Sequence, residues 1–325
     1  MSVAKEVSAI QEAVLKLKES SNSDIILFNA LIYEPSAAEL HSRLNSIKQR
    51  KDFLFLILVT FGGDAHTAYI IGRELQRLYK KVTICIAGDC YSAGTLVVLS
   101  ANEIVIADSG KLGPLDIQLL KKDELKERIS GLAVEMSLRQ LSKLEADAVR
   151  DIVSHLKEAF GRQLSFKTAL EVASNIVSHA FGEIYRQIDP IRIGEDARAL
   201  QIASHYGNIL GQKSGNLKEG AVDRLLEGYP SHECVIDRGE AAELFTNVRQ
   251  PNDVENELLA RLSQLVSSES TESIIINFTD ERFLKEAGDD GTADVHPAAE
   301  EKCEGAEHND SAIPSGSDGK PEKTG

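Results

Sequence analysis

Four short apolar runs punctuate the first third of the chain: Ile25–Phe28, Phe53–Val59, Val82–Ala87 and Ile104–Ala107. Each is rich in Ile, Val, Leu or Phe and is bounded by polar residues. Runs of this length without polar alternation predict strands buried on both faces, as in parallel sheets. Between the second and third runs the period changes. Ile71, Leu75 and Leu78 recur at i, i+4 and i+7, with Arg73, Gln76 and Arg77 opposite. That spacing predicts a helix over residues 66–80. Strands alternating with helices predict an α/β fold with right-handed crossovers.

Residues 119–210 have a different pattern. Leu141, Leu144, Ala148, Ile152, Leu156 and Phe160 keep one helical face apolar over about five turns. A second helical stretch carries Leu170, Ala173, Ile176, Val177 and Phe181, and a third runs near residues 196–209. No strand pattern interrupts them. The α/β character returns weakly near residues 217–246, and residues 271–278 form a candidate last strand at a sheet edge. The resulting map is an N-terminal helix (1–23), an α/β core (24–118), a helical insertion (119–210), the remainder of the core (211–286) and a tail (287–325).

Composition changes the picture mainly for the tail. Residues 287–325 hold ten Asp and Glu against three Lys and Arg, with three prolines, six glycines and no aromatic residue. So little apolar surface cannot offset the entropy of ordering, which predicts a disordered acidic tail. Its removal should leave the melting temperature unchanged within about 1 °C, because such a segment has almost nothing to bury. Differential scanning calorimetry of a chain ending at residue 286 checks this; a drop of several degrees would show that the tail docks.

The net charge of the 325 residues is −15, which argues against a nucleic-acid binder. No apolar run reaches 18 residues, so no membrane-spanning helix is expected. The first 20 residues form an amphipathic pattern without the apolar block of a signal peptide. The four cysteines (Cys85, Cys90, Cys234 and Cys303) lack CxxC spacing. That favours a reducing cytoplasm over a disulfide scaffold, with no metal or cofactor expected.

Three turns could carry chemistry. Thr60-Phe-Gly-Gly-Asp64 follows a buried strand, where two glycines permit a sharp turn that exposes N–H groups. It would equally serve as a plain strand-to-helix turn. Gly88-Asp-Cys-Tyr-Ser-Ala-Gly-Thr95 places Ser92 between a strand and the apolar stretch Leu96–Ala101. A serine there can be a nucleophile or simply a helix cap. The spacing is not that of the G-x-S-x-G elbow. Gly113-Pro-Leu-Asp116 is a third turn, with Asp116 beside a strand end.

In this order, Thr60–Gly63, Tyr91–Thr95 and Leu112-Gly-Pro-Leu-Asp-Ile-Gln118 resemble the Clp/crotonase superfamily. Most closely they resemble the serine dehydrogenase proteinase family, related to Clp-type and signal peptide peptidases. The segment Tyr229–Ala241, with His232, is similar to that family's C-terminal histidine block. The similarity spans roughly residues 24–246. It implies a ββα spiral core with the helical insertion and the tail appended. It further implies a Ser, Asp, His triad: Ser92 as nucleophile, Asp116 as orienting acid and His232 as base. Backbone N–H groups at Gly62 or Gly63 and at Ala93 would form the oxyanion hole. Phe61 departs from the proline common in the family, which bears on the geometry of that loop.

The implied activity is a serine peptidase acting on peptide or protein, assembled as a homo-oligomer. Two other readings share the fold: a catalytically inactive oligomeric scaffold, and a crotonase-like acyl-CoA enzyme that works without a nucleophilic serine. Lys111 raises a Ser-Lys dyad, and His66 could lie near the site or at a helix start. His155, His179 and His205 read as surface residues of the insertion, and Asp89 and Asp108 as turn residues. No phosphate-binding glycine loop is present, so any ATPase would be a separate chain.

Overall fold

The computed structural model describes residues 3–115, 118–120, 128–231, 233–266, 273–280 and 283. The first helix, α1 (Val3–Ser21), leads into β1 (Ser23–Asn29). There follow α2 (Glu34–Asn45), β2 (Phe53–Thr60), α3 (Ala65–Leu78), β3 (Lys81–Cys90), α4 (Ala93–Val98) and β4 (Glu103–Ile106). A short β5 (Lys111–Leu112) precedes the pair β6 (Gln118–Leu120) and β7 (Arg128–Ser130). Three long helices come next: α5 (Gly131–Phe160), α6 (Phe166–Tyr185) and α7 (Pro190–Ser214). The remaining elements are α8 (Ala221–Glu227), α9 (Arg238–Leu244), β8 (Val248–Arg249), α10 (Asp253–Arg261) and β9 (Ile274–Asn277).

The main sheet runs β8-β4-β3-β2-β1-β9. Every pairing in it is parallel except β1 with β9, which closes one edge antiparallel. Alternation along the strands explains their continuous apolarity. Ile26, Phe28, Leu54, Leu56, Leu58, Ile84 and Ile86 face one layer, with Leu40, Leu75 and Leu96 from α2, α3 and α4. Ile25, Leu27, Phe55, Ile57, Val59 and Cys85 face the other, covered by Val14 and Leu17 of α1 and Leu258 of α10. Both faces are dry, so no polar position recurs. Crossovers of one hand between strands added on one side carry α2, α3 and α4 to a single face.

The pattern between residues 119 and 210 contains no strand, yet β6 and β7 pair antiparallel there. Strands of three residues are too short to show a period of two. The segment 287–325 lies outside the described residues. No described helix is long and apolar enough to cross a membrane.

Asp24 lies at the N-terminal end of β1, fully buried. Its Oδ2 accepts hydrogen bonds from Lys51 N at 3.1 Å and from Tyr79 Oη at 3.0 Å, whereas its Oδ1 has no hydrogen-bond partner among the described residues. Burial pushes the carboxyl above its ordinary range, and the two hydrogen bonds only partly offset that. A carboxyl with a raised folded pKa binds its proton more readily folded than unfolded. Its contribution to stability is therefore complete below the ordinary carboxylate range and is lost as pH rises through the raised value. Asp24→Asn removes the charge. The melting-temperature difference, variant minus wild type, should thus increase from pH 4 to pH 8. A difference that stays flat over that range would contradict a raised Asp24.

Candidate active site

The candidate site is built where β2 and β3 end. The register between them holds through Leu58 and Ile86, then shifts, so that Thr60 stands opposite Cys90. β3 thereby runs past β4 and pairs its last residues, Asp89 and Cys90, with Lys111 and Leu112 of β5. The chain then turns into α4 through Ser92.

Ser92 has φ 54° and ψ −114°. A non-glycine residue with positive φ is uncommon, and strain of this kind persists only where the surroundings impose it. The surroundings are visible. Tyr91 N donates to Thr60 O at 3.1 Å before the turn, and Gly94 N donates to Tyr91 O at 2.8 Å after it. Ser92 is the N-cap residue of α4, but its side chain makes no capping hydrogen bond. The bland role for a turn serine is thus not the one it plays.

Phe61-Gly62-Gly63 lies against this turn. A Cβ on Gly62 would come within 2.8 Å of Tyr91 O, 3.0 Å of Ser92 Cβ and 3.2 Å of Ala93 N. Only a glycine lets two backbones approach so closely, and its φ of 97° requires one as well. Gly63, at φ 149°, is pressed against Ile32, whose carbonyl oxygen would lie 2.2 Å from an added Cβ. Ile32 N donates to Gly62 O at 2.9 Å, and Asp64 N donates to Ile32 O at 2.8 Å. The N–H of Gly62 is itself engaged, donating to Thr60 Oγ1 at 3.1 Å. Of the two glycines in the loop, Gly63 is therefore the one whose N–H is not committed to Thr60. Asp64 caps α3, accepting from Thr67 N at 2.6 Å.

The third turn packs on the same place. Gly113 N donates to Cys90 O at 2.8 Å, and Thr95 Oγ1 donates to Gly113 O at 2.8 Å. Leu115 N donates to Leu225 O at 2.9 Å. Asp116 follows directly and lies outside the described residues. The histidine-bearing segment reaches the same turn, because Ile236 N donates to Leu112 O at 2.7 Å. His232 also lies outside the described residues, between Ser231 and Glu233. Glu233 is near enough to act electrostatically on the Tyr91 phenol.

Tyr91 and Lys111 both converge on Asp89. Tyr91 Oη donates to Asp89 Oδ1 at 3.2 Å, and Lys111 Nζ lies 3.1 Å from the same oxygen. Burial first, then the Asp89 charge and hydrogen bond, push the Tyr91 phenol up to about 12. It therefore stays protonated at neutral pH. The Lys111 ammonium is tied to a buried carboxylate, which argues against its serving as the base of a dyad. The Phe61 ring, 51% exposed, stacks against Tyr91 at 6.4 Å between centroids.

The other candidates stand elsewhere. His66 is exposed at the start of α3, with Nδ1 3.0 Å from Tyr206 Oη of α7. His155, His179 and His205 are exposed on the three long helices, and His179 Nδ1 lies 2.8 Å from Asn175 O. Asp108 pairs with Arg238 at 2.8 Å.

Arg238 is the residue that sequence reasoning missed. Its Nε and Nη2 donate to Ile106 O at 3.0 and 2.8 Å, fixing the start of α9 to the end of β4. It thereby anchors the segment that carries His232. Partners more than a hundred residues apart leave no local signal.

No family model matches the chain, and no curated protein matches it. Among solved structures, it is similar to a mutant of 1510-N, a membrane-bound stomatin-specific protease, in complex with a substrate peptide. That likeness has 14% identity over 79% of this chain and 89% of the other, with a TM-score of 0.42. A second mutant of the same protease is 17% identical over 45% of this chain and 66% of the other, with a TM-score of 0.29. A ClpP1 mutant from Listeria monocytogenes is 13% identical over 48% of this chain and 82% of the other, with a TM-score of 0.26. Likeness at these levels transfers no residue role.

Proposed function

We propose that the chain is a serine hydrolase of the Clp/crotonase kind, a peptidase that cleaves peptide bonds through an acyl-enzyme on Ser92. The observation that carries the reading is the strained backbone of Ser92, set against Gly62 and not used to cap α4. Strain held by its surroundings at a strand-to-helix turn is how a fold presents a nucleophile.

In this reading Ser92 Oγ attacks the scissile carbonyl carbon. His232 takes the hydroxyl proton and later delivers it to the leaving amine. Water, deprotonated by the same imidazole, then attacks the ester and releases the acid. Asp116 holds the imidazole in the tautomer that can accept. The tetrahedral oxyanion would be received by the N–H groups of Gly63 and Ala93, with Gly62 supplying close approach instead of a donor. One such donor is worth about 2.7–4 kcal/mol. The substrate is peptide or protein, no cofactor enters the chemistry, and the working form is a homo-oligomer.

A fluorophosphonate probe tests the reading against its rivals. It should label the wild-type chain and leave Ser92→Ala unlabelled. A wild-type chain that resists the probe is the result expected of an inactive scaffold. One that resists it and also binds acyl-CoA would instead be a crotonase-like enzyme.

A further inference from the structure

Tyr91, the residue before Ser92, touches all three turns of the candidate site. Its backbone belongs to the Ser92 turn, where its carbonyl accepts from Gly94 N at 2.8 Å. Its N–H holds the glycine loop through Thr60 O, and its ring stacks on Phe61 with 19° between the planes. Its ring also occupies the space beside Gly113. A Cβ on Gly113 would fall 2.2 Å from Tyr91 Cδ1 and 3.1 Å from Cγ.

Gly113 has little freedom to retreat from that ring. Its N–H is bonded to Cys90 O and its carbonyl to Thr95 Oγ1, and Thr95 is fully buried in the first turn of α4. The ring is therefore a spacer between two fixed backbones, and the third turn carries glycine because the ring fills the place of a side chain.

The phenol fixes the ring in turn. Its partner Asp89 is 5% exposed, and Asp89 Oδ1 receives both Tyr91 Oη and Lys111 Nζ. A buried carboxylate loses much when one of its donors is removed, so the pair resists rotation of the ring. Asp89 and Lys111 stand opposite each other in the β3–β5 pairing. Both the Ser92 turn and the Gly113 turn leave from that pairing. Asp116 follows three residues after Gly113, and Leu112 O accepts from Ile236 N of the His232 segment. A change in the spacing at Gly113 would thus shift the proposed acid and base relative to Ser92.

We propose that Tyr91 is a positioning residue: its ring sets the spacing between Ser92 and the Gly113 turn, and its phenol, bonded to Asp89, holds the ring there. The proposal deepens the reading of Ser92 as a nucleophile and rests on it.

A comparison of two phenols tests it. Tyr91→Phe deletes the hydroxyl and keeps the ring. Tyr79→Phe deletes a bond of the same kind, from Tyr79 Oη to the buried Asp24, at the opposite end of the strands. The readouts are steady-state hydrolysis of a chromogenic ester, the rate of fluorophosphonate labelling at Ser92, and urea denaturation. Tyr91→Phe should lower kcat and the labelling rate by about 10-fold with KM unchanged. Tyr79→Phe should lower the urea midpoint and keep wild-type kcat, KM and labelling. Tyr91→Ala, which removes the spacer, should lower kcat by about 10²-fold. Gly113→Ala should also lower kcat, and it should add little in the Tyr91→Ala background, because the ring it displaces is gone. Wild-type kcat and labelling in Tyr91→Phe would overturn the proposal. So would an equal loss in Tyr79→Phe, which would reduce the effect to lost stability, or a rise in KM at constant kcat, which would place Tyr91 in substrate binding. A wild-type chain that takes no label at Ser92 would instead remove the nucleophile reading, and the proposal with it.

Discussion

Ser92→Ala should lower turnover of peptide and ester substrates by at least about 10⁴-fold while leaving the fold unchanged. The magnitude follows from the proposed role of Ser92. With no hydroxyl, no acyl-enzyme forms, and only the oxyanion donors and substrate binding remain to accelerate attack by water. The fold should persist because the residue is only half-buried and its side chain caps nothing. Replacing a positive-φ serine by alanine keeps the backbone demand nearly constant. His232→Ala should cost a similar factor, since members of a triad act as a unit and their losses do not add. Progress curves on a chromogenic ester, with circular dichroism as the fold control, read both effects. Wild-type turnover in Ser92→Ala would remove the nucleophile from the account.

Gly62→Ala should reduce activity by about 10²–10³-fold, although it deletes no functional group. The added Cβ would sit 2.8 Å from Tyr91 O and 3.0 Å from Ser92 Cβ, and the positive φ disfavours alanine independently. Neither neighbour is the far end of a flexible side chain, so the two turns must separate. Separation moves Ser92 and Ala93 together away from the Gly63 N–H group. Relief of the clash and the unfavourable φ should also cost about 1–3 kcal/mol of stability. Gly182→Ala on α6 is the control. An added Cβ there meets nothing within 4 Å, and alanine in a helix interior is favoured by roughly 0.5–1 kcal/mol. Gly62→Ala should therefore lose activity in steady-state kinetics and stability in urea, whereas Gly182→Ala should keep wild-type activity and gain stability. Equal activity in both would show that the Gly62 approach does not shape the site.

The central strands were legible because burial on both faces removes polar positions altogether. Phe53–Val59 reads as one apolar word for the same reason that Leu56 and Ile57 face different layers. The antiparallel β6 and β7 were not legible, being too short to establish a period. α4 begins at Ala93, three residues before the apolar stretch Leu96–Ala101. Its start is set by the turn at Ser92, and hydrophobicity does not record a turn. The candidate site was partly legible. Paired glycines after a buried strand announce a close approach, but they do not say which backbone approaches. The strain at Ser92, the engagement of the Gly62 N–H by Thr60 and the anchoring by Arg238 all arise from tertiary contacts. The helical insertion shows the same limit: the helical period finds Ala173 and Ile176 alike, and only packing shows that one is covered and the other open.

The most direct test of the central claim is the covalent intermediate itself. The wild-type chain is mixed with excess p-nitrophenyl acetate, quenched in acid within seconds and analysed by intact mass and peptide mapping. One acetyl group per chain is expected, carried by the peptide containing Ser92, at an amount that matches the burst of p-nitrophenol. The adduct should be absent from Ser92→Ala and should fail to accumulate at the same rate in His232→Ala. Hydrolysis by the wild-type chain with no adduct on that peptide, or an adduct that persists in Ser92→Ala, would contradict it.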